Sequence, residues 1–130
     1  MDATVPLETS IGGKASRFIN LMEGSAAERT EKILEGTGAK VICALCNISN
    51  SHLANIPEEI DCDCLIAGNN NDAKAQVAKL INKIPGIKTI DCGILEKARI
   101  IEKITPLLIG LNIKYKSHYR GLRITGINFD

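Results

Sequence analysis

Three nearly continuous apolar runs, residues 40–45, 63–67 and 87–90, are separated by stretches whose apolar residues recur at helical spacing. A strand that is apolar at every position is buried on both faces. That demands a parallel sheet covered by helices, an α/β arrangement. Ser25-Ala-Ala-Glu28 has capping-box spacing and starts a helix to about Glu35, closed by Gly36-Thr37-Gly38. Residues 72–84 form an amphipathic helix with Val77, Leu80, Ile81 and Ile84 on one side, stopped by Pro85-Gly86. Residues 94–116 form a long helix in which Ile101, Ile104, Leu108 and Leu111 share a face. Gly12-Gly13 opens a short helical stretch to residue 22. Residues 47–55 are a polar loop with one helical turn, and 121–127 a last short strand. The stub Ala3-Thr4-Val5 needs neighbours. Four strands make a thin sheet with a raw edge, and a doubly wound nucleotide domain places its first strands ahead of such a point.

Composition narrows the classes. The 130 residues suit one domain, and with 3% aromatics and no Trp the core must be Ile, Leu, Val and Ala. Sixteen basic against fifteen acidic side chains give no global pull toward nucleic acid or a membrane. The longest strongly apolar run, 104–113, is too short to cross a bilayer, and no signal-peptide pattern opens the chain. These features imply a cytoplasmic protein. The five cysteines, 43, 46, 62, 64 and 92, lie in or beside strand runs and read as buried structural thiols, not a disulfide or metal framework.

No glycine loop has the order a dinucleotide fingerprint needs, GxGxxG between a first strand and a helix. Gly36-Thr37-Gly38 follows a helix and caps it. Gly68-Asn69-Asn70-Asn71-Asp72 stands at a strand's C-terminal end, where either a ligand site or plain N-capping fits. Cys46 to His52 (CNISNSH) follows the 41–45 strand at the usual address of a substrate crevice, or forms an ordinary turn. Pro106 cannot donate to the Glu102 carbonyl, which predicts a bend in the long helix. The neighbouring Thr105 hydroxyl either bonds back to the Ile101 carbonyl or faces a ligand.

The segments GSAAERTEKI, CNISNSHLANI, DCDCLIAG, DCGILEKARIIEKITPLLIGLNIKYK and GLRITGI resemble the F420-dependent NADP reductases, over essentially the whole chain. MDATVP resembles a segment midway along that family's Rossmann domain. The resemblance therefore implies the second part of such a reductase, without the N-terminal half that carries the phosphate-binding glycine loop. Residues 1–92 would be the C-terminal part of a Rossmann-like dinucleotide-binding domain, and 93–130 a helical region forming the deazaflavin side and a homodimer contact. The implied activity is hydride transfer between NADP(H) and coenzyme F420, with no protein acid or base at the transferred atom. The alternative is a non-catalytic F420-binding or dimerisation module. By motif, Cys46, Asn47 and Ile48 would line the cleft, and the Ser49 or Asn50 backbone would meet the nicotinamide carboxamide. Lys103 and Thr105 would approach the deazaflavin, and Thr4, Val5 and Pro6 would edge the NADP side. Cys46 stands where the family often has His or Asn, and a thiol donates weakly. The cations Lys114, Lys116, His118, Arg120 and Arg123 either help attract the anionic tail of F420 or form an ordinary solvated surface.

Overall fold

Strand β2 (Asp63–Gly68) is buried along its whole length and lies at the centre of a three-stranded sheet ordered β1-β2-β3. A computed structural model of the chain describes residues 1–129. From β2 the chain passes into helix α3 (Asn71–Ile81) and returns as β3 (Lys88–Asp91), parallel to β2 with Cys64 opposite Thr89 and Ile66 opposite Asp91. This is the expected β-α-β unit. Strand β1 (Ile42–Cys43) departs from the parallel expectation: it runs antiparallel to β2, with Cys43 opposite Ala67. The reason lies in the connection. Between β1 and β2 the only helix, α2 (Asn50–Ala54), is five residues long. It cannot carry the chain back along the sheet, so β2 begins at the end where β1 stops.

The sheet is thus mixed, flanked by helices, and consistent with part of a Rossmann-like α/β fold. One core cluster joins Val41, Cys43, Cys46, Leu65 and Ala67 to Ala27, Leu95, Ala98 and Ile101. A second, on the other face, joins Cys62, Cys64 and Ile66 to Ile48, Ile60, Ile81 and Ile87. Alternate residues of β2 serve the two clusters, which is why the run has no polar face. On α3, Ile81 is buried, with Val77 and Ile84 packed behind it, whereas Leu80 is turned to solvent.

The start of the chain joins the sheet by one parallel bridge, Asp2 to Cys43, and not by a strand over 3–5. The Asp2 carboxylate accepts the Thr4 N–H at 2.8 Å and the Thr4 hydroxyl at 2.6 Å. This Asx-type turn bends the chain off the sheet. Nor does a helix fill 12–22. A 3₁₀ turn spans Glu8–Ile11, and Gly12 ends it at φ +86°, a conformation that suits glycine. The chain then doubles back so that Leu7 bridges Phe18.

Helix α1 (Ala26–Ile33) begins as its capping box predicts, with Ser25 Oγ accepting the Glu28 N–H at 3.1 Å. A 3₁₀ turn (Leu95–Lys97) leads into helix α4 (Ala98–Lys114), which contains Pro106. The fully buried Glu102 of α4 accepts the amides of Ala26 and Ala27 at 2.7 and 3.2 Å, so it caps α1 from a distance in sequence.

Residues 121–127 form no strand. They run as a strap beside β2: Asp63 N–H donates to the Leu122 carbonyl, and the Asp63 carboxylate takes Ile124 N–H and Arg123. Arg123 also holds Asp61 and the carbonyls of Cys62 and Gly86. Gly121 allows the close approach, because a Cβ there would stand 2.7 Å from Cys62 Cβ. Among the described residues, no helix is long and apolar enough to cross a membrane.

Candidate functional site

Beyond β1 the chain turns at Leu45, whose φ of +65° is unusual for a side-chain-bearing residue. The next five residues are fixed by side-chain bonds. Asn47, buried, donates its amide to the Asp63 carbonyl at 2.7 Å and accepts the Leu65 N–H at 3.1 Å. It thereby extends the β1–β2 ladder with a side chain in place of backbone. Ser49 caps α2 by accepting the Ser51 N–H, and its hydroxyl donates to the His118 carbonyl at 2.8 Å. Ile48 is buried against the second core cluster.

This turn faces the middle of α4. The Thr105 hydroxyl donates to the Cys46 carbonyl, 59 residues away in sequence. The bond runs not back to Ile101 but across to the loop, and Thr105 itself lines the hollow between them. The two stretches enclose an open-sided cavity of about 210 Å³. Cys46, Asn47, Ile48, Ser49 and Asn50 form one wall, Thr105, Leu108, Ile109 and Asn112 the other, and Arg120 the rim. Ile48, Leu108 and Ile109 give the cavity apolar sides, with hydroxyl and amide groups between them. Such a lining suits a flat, largely apolar ring with a few polar edges.

Other residues singled out in the sequence lie elsewhere. Lys103 does not line the cavity, and its ammonium lies 5.5 Å from the centre of the Phe18 ring. Thr4 sits behind Cys46, whose thiol makes a long contact of 3.9 Å to the Thr4 carbonyl. Val5 packs on the first core cluster, and the Pro6 carbonyl accepts the Ile19 N–H. The Gly68–Asp72 stretch is spent on caps: Asn70 receives Ala73 N–H and Asn69 receives Leu95 N–H. Leu108, Ile109, Asn112 and Arg120 were not picked out as cleft residues. Leu108 lies on the apolar face of α4, and Asn112 interrupts the apolar run between Leu111 and Ile113.

All five cysteines are free thiols, and all but Cys92 are buried. The hydrogen bond with Cys46, 3.5 Å away, and burial push the Cys43 thiol far up from its ordinary range. Burial raises Cys62 to about 11 and Cys64 to about 12. Protonated, enclosed thiols are poor nucleophiles and poor metal ligands. Among the described residues, no group of three His, Cys, Asp or Glu side chains is placed to hold a metal ion.

The F420-dependent NADP reductase of Methanothermobacter thermautotrophicus is 52% identical over 127 residues, 98% of this chain and 55% of that protein. That of Methanocaldococcus jannaschii is 49% identical over 123 residues, 95% of this chain and 54% of that protein. The chain is a close homologue of the F420-dependent NADP reductases. It spans about half the length of the curated relatives it matches. A crystal structure from Arthrobacter sp. FB24, provisionally assigned as an F420-dependent NADP reductase, superposes with a TM-score of 0.81 at 26% identity. The superposition covers 96% of this chain and 56% of that one. No protein-family model matches the chain.

Proposed function

We propose that this chain forms the deazaflavin side of a hydride-transfer site between NADP(H) and coenzyme F420. The observation that carries the reading is the cavity shared by the turn after β1 and the middle of α4. Its apolar sides and size fit the flat ring of a deazaflavin, and its walls fall on the segments that resemble the reductases. When bound, F420 supplies a ring carbon that gives or takes hydride, so the protein need bring no acid or base to that atom.

The chain's own residues orient and dry the site. Ile48 and Leu108 pack against the ring and set its depth. Thr105, by holding the Cys46 carbonyl, keeps the two walls at a fixed separation, and hydride transfer depends steeply on such positioning. The Ser49–Asn50 backbone edges the nicotinamide side, with Thr4, Val5 and Pro6 behind Cys46. Residues 93–130 then act as the deazaflavin-side helical region and 1–92 as part of the dinucleotide-binding domain. Lys103, turned onto Phe18, has no part in this reading.

A second reading, a non-catalytic F420-binding or dimer-forming module, has two observations in its favour. The sequence contains no GxGxxG loop to cradle a pyrophosphate. Helix α4 also leaves Ile100 and Leu107, seven residues apart on one face, more than half exposed, an apolar patch suited to a homodimer contact.

Separate titrations with F420 and NADPH, followed by fluorescence, test both readings. Saturable F420 binding with weak NADPH binding is expected of the chain alone. Failure of F420 to saturate overturns the first reading and the F420-binding form of the second, and hydride transfer by the chain alone overturns the second.

A further inference from the structure

The basic tail does not act as a cluster. Arg123 is consumed by Asp61 and Asp63 at 2.9 and 2.7 Å. Lys114 lies 5.5 Å from the centre of the Tyr115 ring. Lys116 and His118 line a neighbouring hollow that shares Ile109 and Asn112 with the cavity. Of these five, Arg120 alone lines the cavity, and it also borders a second hollow with Leu111 and Tyr115. No carboxylate lines the cavity, and among the described residues Arg120 makes no ion pair.

Its place is built. The segment after α4 is pinned by Ser49 Oγ to the His118 carbonyl at 2.8 Å and by Arg120 N–H to Asn112 Oδ1 at 3.1 Å. The His52 and Tyr119 rings stack at 5.0 Å, and the Arg120 guanidinium rests 5.4 Å from the centre of Tyr115. Complementing the negative end of α4 does not account for this position, because Lys114 and Lys116 already stand at that terminus. Arg120 lies beyond it, on a return that both cavity walls hold. A guanidinium positioned beside neutral walls recognises a phosphate or carboxylate through paired N–H donors.

On the reading that the cavity takes a deazaflavin ring, we propose that Arg120 is its anion-binding residue, fixing an oxyanion on the chain attached to that ring. Arg120 then sets ligand choice: the ring enters the apolar cavity and its charged substituent stays at the rim.

Three probes test this by fluorescence titration: the ribityl deazaflavin without phosphate, its 5′-phosphate, and coenzyme F420 with its full tail. Wild type is expected to bind the anionic probes about tenfold more tightly than the neutral one, in line with a single charged contact. R120Q should abolish that advantage while leaving the neutral probe's affinity and the melting temperature unchanged. R120K should restore part of it, and added salt should erode it. A gain already complete with the 5′-phosphate assigns the contact to phosphate. A gain only with the full tail assigns it to the carboxylates. If the neutral probe saturates the cavity but R120Q and wild type bind all three alike, the role of Arg120 is overturned and the cavity reading survives. If no probe binds wild type, both fall together.

Discussion

Replacing Glu102 by alanine is expected to lower the unfolding free energy by about 3 kcal/mol, read from urea denaturation. The side chain is fully buried and its oxygens satisfy the Ala26 and Ala27 amides. Each buried donor left unpaired costs roughly 1–3 kcal/mol, and the lost side chain leaves a void. Helix α1 would lose its cap and its tie to α4 together. A loss below about 1 kcal/mol would show that water replaces the carboxylate at no great cost.

Glutamine at the same position separates charge from shape. Burial raises the Glu102 carboxyl above its ordinary range, more than the Ala26 and Ala27 amides lower it. A carboxyl with a raised folded pKa binds its proton more tightly in the folded chain. The stability this confers is complete below the unfolded pKa and is lost as pH rises through the folded one. Glutamine does not titrate. The deficit of E102Q relative to wild type should therefore be widest in acid and narrow as pH climbs past the carboxylate range. Asp2 contributes with the opposite sign. Burial raises its pKa, but the hydrogen bonds from Thr30 and Thr4 outweigh this and lower it. Its contribution is lost as pH falls. A deficit that stays constant with pH would contradict the assignment to Glu102.

Asn47→Ala is expected to cost about 2–4 kcal/mol, the sum of two buried β2 groups left without partners. The Asp63 carbonyl and the Leu65 amide both depend on this side chain. Chemical denaturation reads the loss, and hydrogen exchange locates it: the Leu65 amide should lose protection before those of β3. Asn47→Asp can still accept from Leu65 but sets a buried carboxylate oxygen against the Asp63 carbonyl, so at neutral pH it should cost at least as much as alanine. A neutral result for alanine would show that the turn after β1 is held by other contacts.

Both residues show what the sequence makes legible and what it does not. Local signals carried well. The capping box at Ser25 starts α1, and Asn70 caps α3. The all-apolar run of β2 is indeed buried on both faces, and the 3–4 spacing of Ile101 and Leu108 marks the inward side of α4. The direction of β1 did not carry, because an apolar run looks the same in either direction. It took the length of the connecting helix to set it.

Long-range partners were equally hidden. Nothing local in the sequence marks the Glu102 side chain as the partner of the α1 amides. Asn47 lines the cavity, but nothing in its spacing announces that its amide also spans β2. Residues 121–127 have strand composition, but Arg123 and Ile124 are claimed by Asp63 and the segment becomes a strap. The cavity was legible through position, the loop after a strand and the bend-prone helix. Asn112 and Arg120 were not picked out as wall residues, since nothing in their spacing ties them to Cys46.

The measurement that tests the account most directly is methyl NMR of the chain during titration with coenzyme F420. The account predicts saturable shifts at Ile48, Leu108 and Ile109, the apolar sides of the cavity, with Ile33 and Leu34 of the distant α1 end unmoved. Shifts confined to α1 or to the exposed pair Ile100 and Leu107, with Ile48 and Ile109 silent, would contradict it.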